Sequence, residues 1–306
     1  MTPSPSFPAR LHAACRAKRS VVCVGLDPRF ESLPAEFSRG RGGDAAARAE
    51  AFALWGAAVL DVIAPLAPIV KPQSAFYEAL GLAGVDALHR TIAAARERGL
   101  LVILDAKRGD MNTTAMAYAE AHLAADGADA LTVNPYLGRD ALEPFVARCR
   151  GDGKGLFVLV KTSNPGSADF QDLELAGGGT LYERVADAVS ELGATTARDD
   201  GGWNSVGAVI GATHPAQLAA LRARIPHTPL LVPGYGAQGG AAEDCRGAFG
   251  ADGLGAVVSS SRGLTFAFRA GAHATQYGEA RWRDSVAAAT TEMRDALNAV
   301  RAGGAG

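Results

Sequence analysis

Eight short apolar runs limit what this chain can fold into. They are SVVCVGLD (20–27), APIVKPQ (67–73), LLVILDAK (100–107), ADALTVNP (128–135), GLFVLVKTS (155–163), SVGAVIGAT (205–213), PLLVPG (229–234) and LGAVVSSS (254–261). Each is nearly continuously apolar rather than alternating, the pattern of strands buried on both faces of a parallel sheet. Parallel neighbours cannot be joined by a tight turn, so each return needs a crossover, usually a helix. The intervening segments supply it. Ala-, Leu- and Arg-rich stretches at 45–63, 82–98, 113–125, 181–192 and 215–223 have helical spacing, and another follows the last run near 279–301. In 82–98, Leu82, Val85, Leu88, Ile92 and Ala95 recur every three or four positions, the spacing of one helix face.

Strand–helix alternation repeated eight times predicts an α/β fold, a single (β/α)8 TIM barrel spanning 1–306. Strand eight falls near 254–261, a C-terminal helix at about 279–301 and a frayed tail at 302–306. The rival is an open doubly wound sheet; eight evenly apolar strands favour closure. Two units are long, with extra residues at 39–48 and at 164–180, and neither stretch is assigned a role.

Partners are bounded by charge. A formal net charge of -2 gives no electrostatic footprint for nucleic acid or an anionic membrane. The opening MTPSPSFPAR lacks the basic-then-apolar run of a signal peptide, and no apolar stretch is long enough to span a bilayer. The four cysteines, Cys15, Cys23, Cys149 and Cys245, form no C-x-x-C pair. Reduced thiols in a cytoplasmic protein are the expectation.

Barrel active sites lie at the C-terminal ends of the strands. The apolar runs here end in Asp27; Lys71 and Gln73; Asp105, Lys107 and Asp110; Asn134; Lys161, Thr162, Ser163 and Asn164; Thr213 and His214; PGYGAQGG (233–240); and SSSRG (259–263). The opposite ends are poor in acids and lysines. Charge at the end of a buried strand is costly unless it is paired or used. Asp105 and Lys107 are two apart, so they share a strand face, and Lys71 can meet them from the neighbouring strand. The last two loops are where barrels commonly bind phosphate: glycines let backbone approach an anion, and Arg262 can grip it bidentately. The residues describe a barrel enzyme acting on a small phosphorylated substrate, using lysines and carboxylates. The six histidines form no H-E-x-x-H pattern, and no metal or cofactor site is expected.

LDAKRGDMNTTA (104–115) closely resembles the D-x-K-x-x-D signature of the orotidine 5′-phosphate decarboxylase family. Its companions occur in order: GLDP, VKPQSAFYE, TVNPYLG, KTSNPGS, PGYGAQGG and SSSRG. The resemblance covers about residues 20–265, and the NPYLG and TSNPG forms are similar to the longer bacterial branch, type 2. It implies conversion of orotidine 5′-phosphate to UMP and CO2 without a cofactor, in de novo pyrimidine biosynthesis. It implies that Asp27 and Lys71 hold the ribose, and that Lys71, Asp105, Lys107 and Asp110 form an alternating charge array. Lys107 then stabilises and protonates the C6 carbanion. Ser163 reads the pyrimidine edge, while Gln238 and Arg262 bind the phosphate under a closing loop at 233–240. A homodimer is implied, with Asp110 and Thr114 reaching the partner's site. One alternative is a sibling barrel decarboxylase or aldolase that uses magnesium and a linear sugar phosphate; TSNPG and GAQGG argue against it. Another is a catalytically silent nucleotide binder, which would lack a member of the charge array; all four are present.

Overall fold

The computed structural model describes residues 5–236 and 239–302. The eight apolar runs form β1 (Val22–Leu26), β2 (Ile69–Pro72), β3 (Leu101–Arg108), β4 (Ala130–Val133), β5 (Gly155–Lys161), β6 (Val206–Ile210), β7 (Leu230–Pro233) and β8 (Ala256–Ser260). They close a barrel in sequence order, every pairing parallel, with β1 hydrogen-bonded to β8 through Val22, Cys23 and Val24. Closure settles the choice against the open sheet. Strands β1, β2, β4, β6 and β8 are buried throughout, as continuous apolarity requires.

The crossovers are helical where the spacing places them. Ala45–Ile63 starts at Asp44, whose carboxylate accepts the Ala47 N–H at 2.7 Å. The C-terminal segment begins as a 3-10 turn, Glu279–Arg281, and continues as the helix Trp282–Ala302; residues 303–306 of the expected frayed tail lie outside the described residues. Trp282, Val286, Ala289, Met293 and Leu297 form its core-facing stripe.

One helix face differs from the expectation. Gly81–Glu97 buries Gly84, Ala87, Leu88, Thr91, Ile92 and Ala95, whereas Leu82 is 91% exposed and Val85 39% exposed. Small and hydroxylated residues carry part of the seam. Thr91 returns its hydroxyl to the Ala87 carbonyl at 2.8 Å and lies against Gly56 of the neighbouring helix. An apolar-only count misses such positions.

The lower rim is not free of charge either. Asp129 precedes β4, is 6% exposed, pairs with Arg10 and accepts the Val102 N–H at 2.9 Å. Lys154, before β5, donates to the carbonyls of Ala124 and Ala128. These groups tie the N-terminal helix Phe7–Lys18 and a loop to the barrel floor. The four cysteines are buried and unpaired, and burial pushes each thiol up to about 12. No helix among the described residues is long and apolar enough to cross a membrane.

Candidate active site

The centre of the site is Asp105, 6% exposed near the end of β3. One carboxylate oxygen accepts from Lys71 Nζ of β2 at 2.6 Å, and the other accepts from Lys107 Nζ at 2.5 Å. Burial alone would raise the Asp105 carboxyl, but the two ammonium groups outweigh it and hold it well below the usual range. Lys71 shows the converse. Its burial favours the neutral amine, yet Asp105 and then Asp27 keep its ammonium form favoured well above the ordinary lysine value. Lys71 is enclosed, whereas the Lys107 side chain is 47% exposed at the cavity edge. Asp27 Oδ1 is buried and has no hydrogen-bond partner among the described residues, an acceptor awaiting a donor.

Lys107 reaches Asp105 through a break in the strand rather than along a regular one. Its φ is 48°, in the left-handed region, and the β3–β4 register shifts between Leu104 and Arg108. A non-glycine residue held there costs about 1–2 kcal/mol. Thr132 of β4 stabilises the break. Its Oγ accepts the N–H groups of Ala106 at 3.1 Å and Lys107 at 3.0 Å, and its hydroxyl donates to Asp105 at 3.0 Å.

A cavity of about 590 Å³ opens above this cluster, a size suited to a small ligand. Asp27, Lys71, Asp105 and Lys107 lie on one side; Leu159, Val209, Leu231 and Pro233 give an apolar wall; Ser163 is on the rim after β5. Ser259, Ser260, Ser261 and Arg262 also line it, with Gly234 and Tyr235 of the loop after β7. Gly25 lets the β8 loop come close: a Cβ there would stand 1.9 Å from Ser261 Oγ. Gly234, Gly236 and Gly239 have φ of 104°, 72° and 98°, so the β7 turn needs residues without a side chain. Gln238 lies outside the described residues. Asp110 and Thr114 do not line this cavity. Asp110 Oδ1 accepts the Met111 N–H at 2.8 Å, and Thr114 is exposed on the helix Asn112–His122.

Known proteins resemble this chain in sequence and fold. The model of the orotidine 5′-phosphate decarboxylase / HUMPS family matches residues 20–277. The chain belongs to that family. An orotidine 5′-phosphate decarboxylase of Rhodopirellula baltica is 48% identical over 95% of this chain and 99% of its own length. One from Deinococcus radiodurans is 47% identical over 86% and 90%. The structure of Leishmania donovani OMP decarboxylase superposes with a TM-score of 0.75 at 36% identity, covering 97% of this chain and 99% of the other. At this identity and coverage the chain is an enzyme, a decarboxylase.

Within this family member, two features escape a reading of strand-end residues, and a third is misplaced by it. Thr132 is a single hydroxyl inside an apolar run; only its inward position next to Asp105 reveals it. Phe170 and Gln171 reach the cavity from the long 164–180 segment. That segment is pinned rather than loose. Gln171 bonds the Thr162 N–H and hydroxyl, each at 2.9 Å, Glu174 bridges to Thr180, and a Thr180–Glu183 capping box opens the helix Leu181–Gly193. Lys161 is the third. Sequence position groups it with the polar strand ends, but the β5–β6 register shifts between Leu159 and Lys161, and Lys161 is absent from the cavity lining. It is fully buried, with Nζ 2.7 Å from Asp172 and 3.1 Å from Ser167, and it anchors the segment. Among the described residues, no group of three or more His, Cys, Asp or Glu is placed to hold a metal ion.

Proposed function

We propose that this chain converts orotidine 5′-phosphate to UMP and CO2 in de novo pyrimidine biosynthesis, without a cofactor, in the cytoplasm. One observation carries the reading: the Lys71–Asp105–Lys107 cluster lines the same cavity as the hydroxyls of Ser259, Ser260 and Ser261 and the arginine Arg262. The phosphate then lies at Ser261, Arg262 and the β7 turn, together with Gln238. Asp27 and Lys71 take the ribose hydroxyls, which supplies a donor to the unpartnered Asp27 oxygen. Ser163 takes the pyrimidine edge. C6 then stands over Asp105 and Lys107 in this reading.

Breaking the C6–carboxylate bond releases CO2 and leaves the electron pair at C6 in an orbital that the ring cannot delocalise. An ammonium fixed beside C6 stabilises that pair and then delivers the proton that replaces CO2. Lys107 holds this position because Asp105 binds its ammonium from below, and Thr132 fixes the backbone that carries it. Phosphate binding far from C6 contributes energy to closing and ordering the site.

Asp110 and Thr114 serve the neighbouring site of a homodimer. In support, neither residue lines its own cavity. Met111 (51%), Met116 (59%), Tyr136 (85%) and Leu137 (45%), from the segments that follow β3 and β4, are exposed as well, apolar groups that a partner subunit would cover. The test of the reaction is the loss of orotidine 5′-phosphate absorbance with purified protein in chelator. Turnover unaffected by chelator supports the reading. Turnover only with added magnesium, or only of a sugar phosphate, favours the sibling chemistry and overturns it.

A further inference from the structure

We propose that Arg108 is a positioning residue that clamps the bulge at the end of β3 and thereby sets where the Lys107 ammonium stands. The inference rests on the reaction assigned above. Arg108 follows Lys107 directly, yet its guanidinium leaves the cavity and runs behind it. One nitrogen pairs with the Glu78 carboxylate at the end of the helix Ser74–Glu78. A second donates to the Ala106 carbonyl, within the bulge, at 3.3 Å. Nε donates to His122 Nε2 at 3.3 Å, and the guanidinium lies 5.4 Å from the centre of the Tyr118 ring; both partners belong to Asn112–His122. The Arg108 carbonyl accepts the Asn134 N–H at 2.8 Å.

The arrangement answers a mechanical need. Lys107 holds a backbone conformation that side chains resist, and Thr132 restrains only its N-terminal side. Arg108 restrains the C-terminal side, and it does so from the helices after β2 and after β3. Those strands also carry Lys71, Asp105 and Lys107. A planar guanidinium can span three acceptors at once, which a lysine ammonium on its flexible stem cannot reproduce. His122 fits the role of acceptor, because burial and then the charge of Arg108 lower its pKa to about 4, leaving the ring neutral at physiological pH.

The test compares kcat for orotidine 5′-phosphate with Kd for UMP in Arg108→Met and Glu78→Gln. Displacing a reacting group by a fraction of an ångström costs rate more than binding, so kcat is expected to fall about ten-fold or more with UMP affinity within about threefold. Arg108→Lys should recover only part of the rate. Rates near wild type in both variants, or a parallel loss of rate and UMP affinity, overturn the proposal. Glu78→Gln decides if Arg108→Met does not fold. A readout without turnover separates this inference from the reaction assignment. In lysine-labelled protein, the Lys107 side-chain resonances should move in either variant while those of buried Lys161 stay. Unmoved Lys107 resonances overturn the positioning role whatever the wild-type protein does with orotidine 5′-phosphate.

Discussion

Asp105→Asn tests the electrostatics of the cluster by removing one charge and almost no volume. The asparagine leaves Lys71 buried, its side chain 8% exposed, without its nearest counter-ion. Removing one partner from a buried pair costs about 3–5 kcal/mol. Asp27 still faces Lys71 and trims the loss. Lys107 is half-exposed, so its share of the pairing is screened and small. The expected destabilisation is about 2–4 kcal/mol. At about 2.1 cal/mol/K per residue, 306 residues give about 0.64 kcal/mol per degree, so the Tm falls about 3–6 °C. The pH dependence fixes the sign. The folded Asp105 carboxyl is held below its ordinary value of 3.8, so its stabilisation is complete above that value and is lost as pH falls toward the lower folded value. The gap between wild type and variant should therefore be constant near neutrality and narrow below about pH 4. Thermal unfolding of both proteins from pH 3 to 8 measures it. An Asp105→Asn protein as stable as wild type at pH 7, or a gap that widens in acid, would refute the reasoning.

Three further outcomes follow from the same geometry. Thr132→Val keeps the volume but strands the N–H groups of Ala106 and Lys107; stability should drop by about 1–3 kcal/mol in denaturant unfolding, with kcat reduced as well. Arg262→Ala should lower kcat/KM for the nucleotide by about 10- to 100-fold, the worth of a charge-assisted hydrogen bond, and leave a phosphate-free nucleoside unaffected in the same assay. An Asp110→Ala chain and a Lys107→Ala chain, each inactive alone, should regain part of the activity when mixed if the two residues serve one site from different subunits; no recovery with demonstrated exchange of subunits argues for separate roles.

The barrel was legible because burial on both faces writes itself into sequence as uninterrupted apolar runs, and all eight became strands. The floor of the site was legible because Asp105, Lys71 and Lys107 end such runs, where a charge needs a reason. What was not legible depends on local breaks in periodicity. Lys107 faces Asp105 through a residue at positive φ, so the period-two argument reached the right contact by a path the strand does not take. Lys161 also ends an apolar run, but the register slip after Leu159 turns it away from the cavity. Thr132 carries no charge, and its value comes only from the three groups it meets. Leu82 and Val85 keep helical spacing but stand outside, because Ala87 and Thr91 occupy the seam that an apolar count assigns to larger residues. A fold-independent tally of side-chain types cannot see any of these.

In the proposed reaction the Lys107 ammonium both stabilises and protonates the carbon left by CO2. Its most direct test is single-turnover loss of orotidine 5′-phosphate absorbance by Lys107→Ala, with UMP binding measured on the same preparation. Electrostatic stabilisation and proton donation together are worth on the order of 10⁴-fold or more. Lys107→Ala should fold, bind UMP and turn over orotidine 5′-phosphate at least that much more slowly than wild type. Turnover within ten-fold of wild type would contradict it.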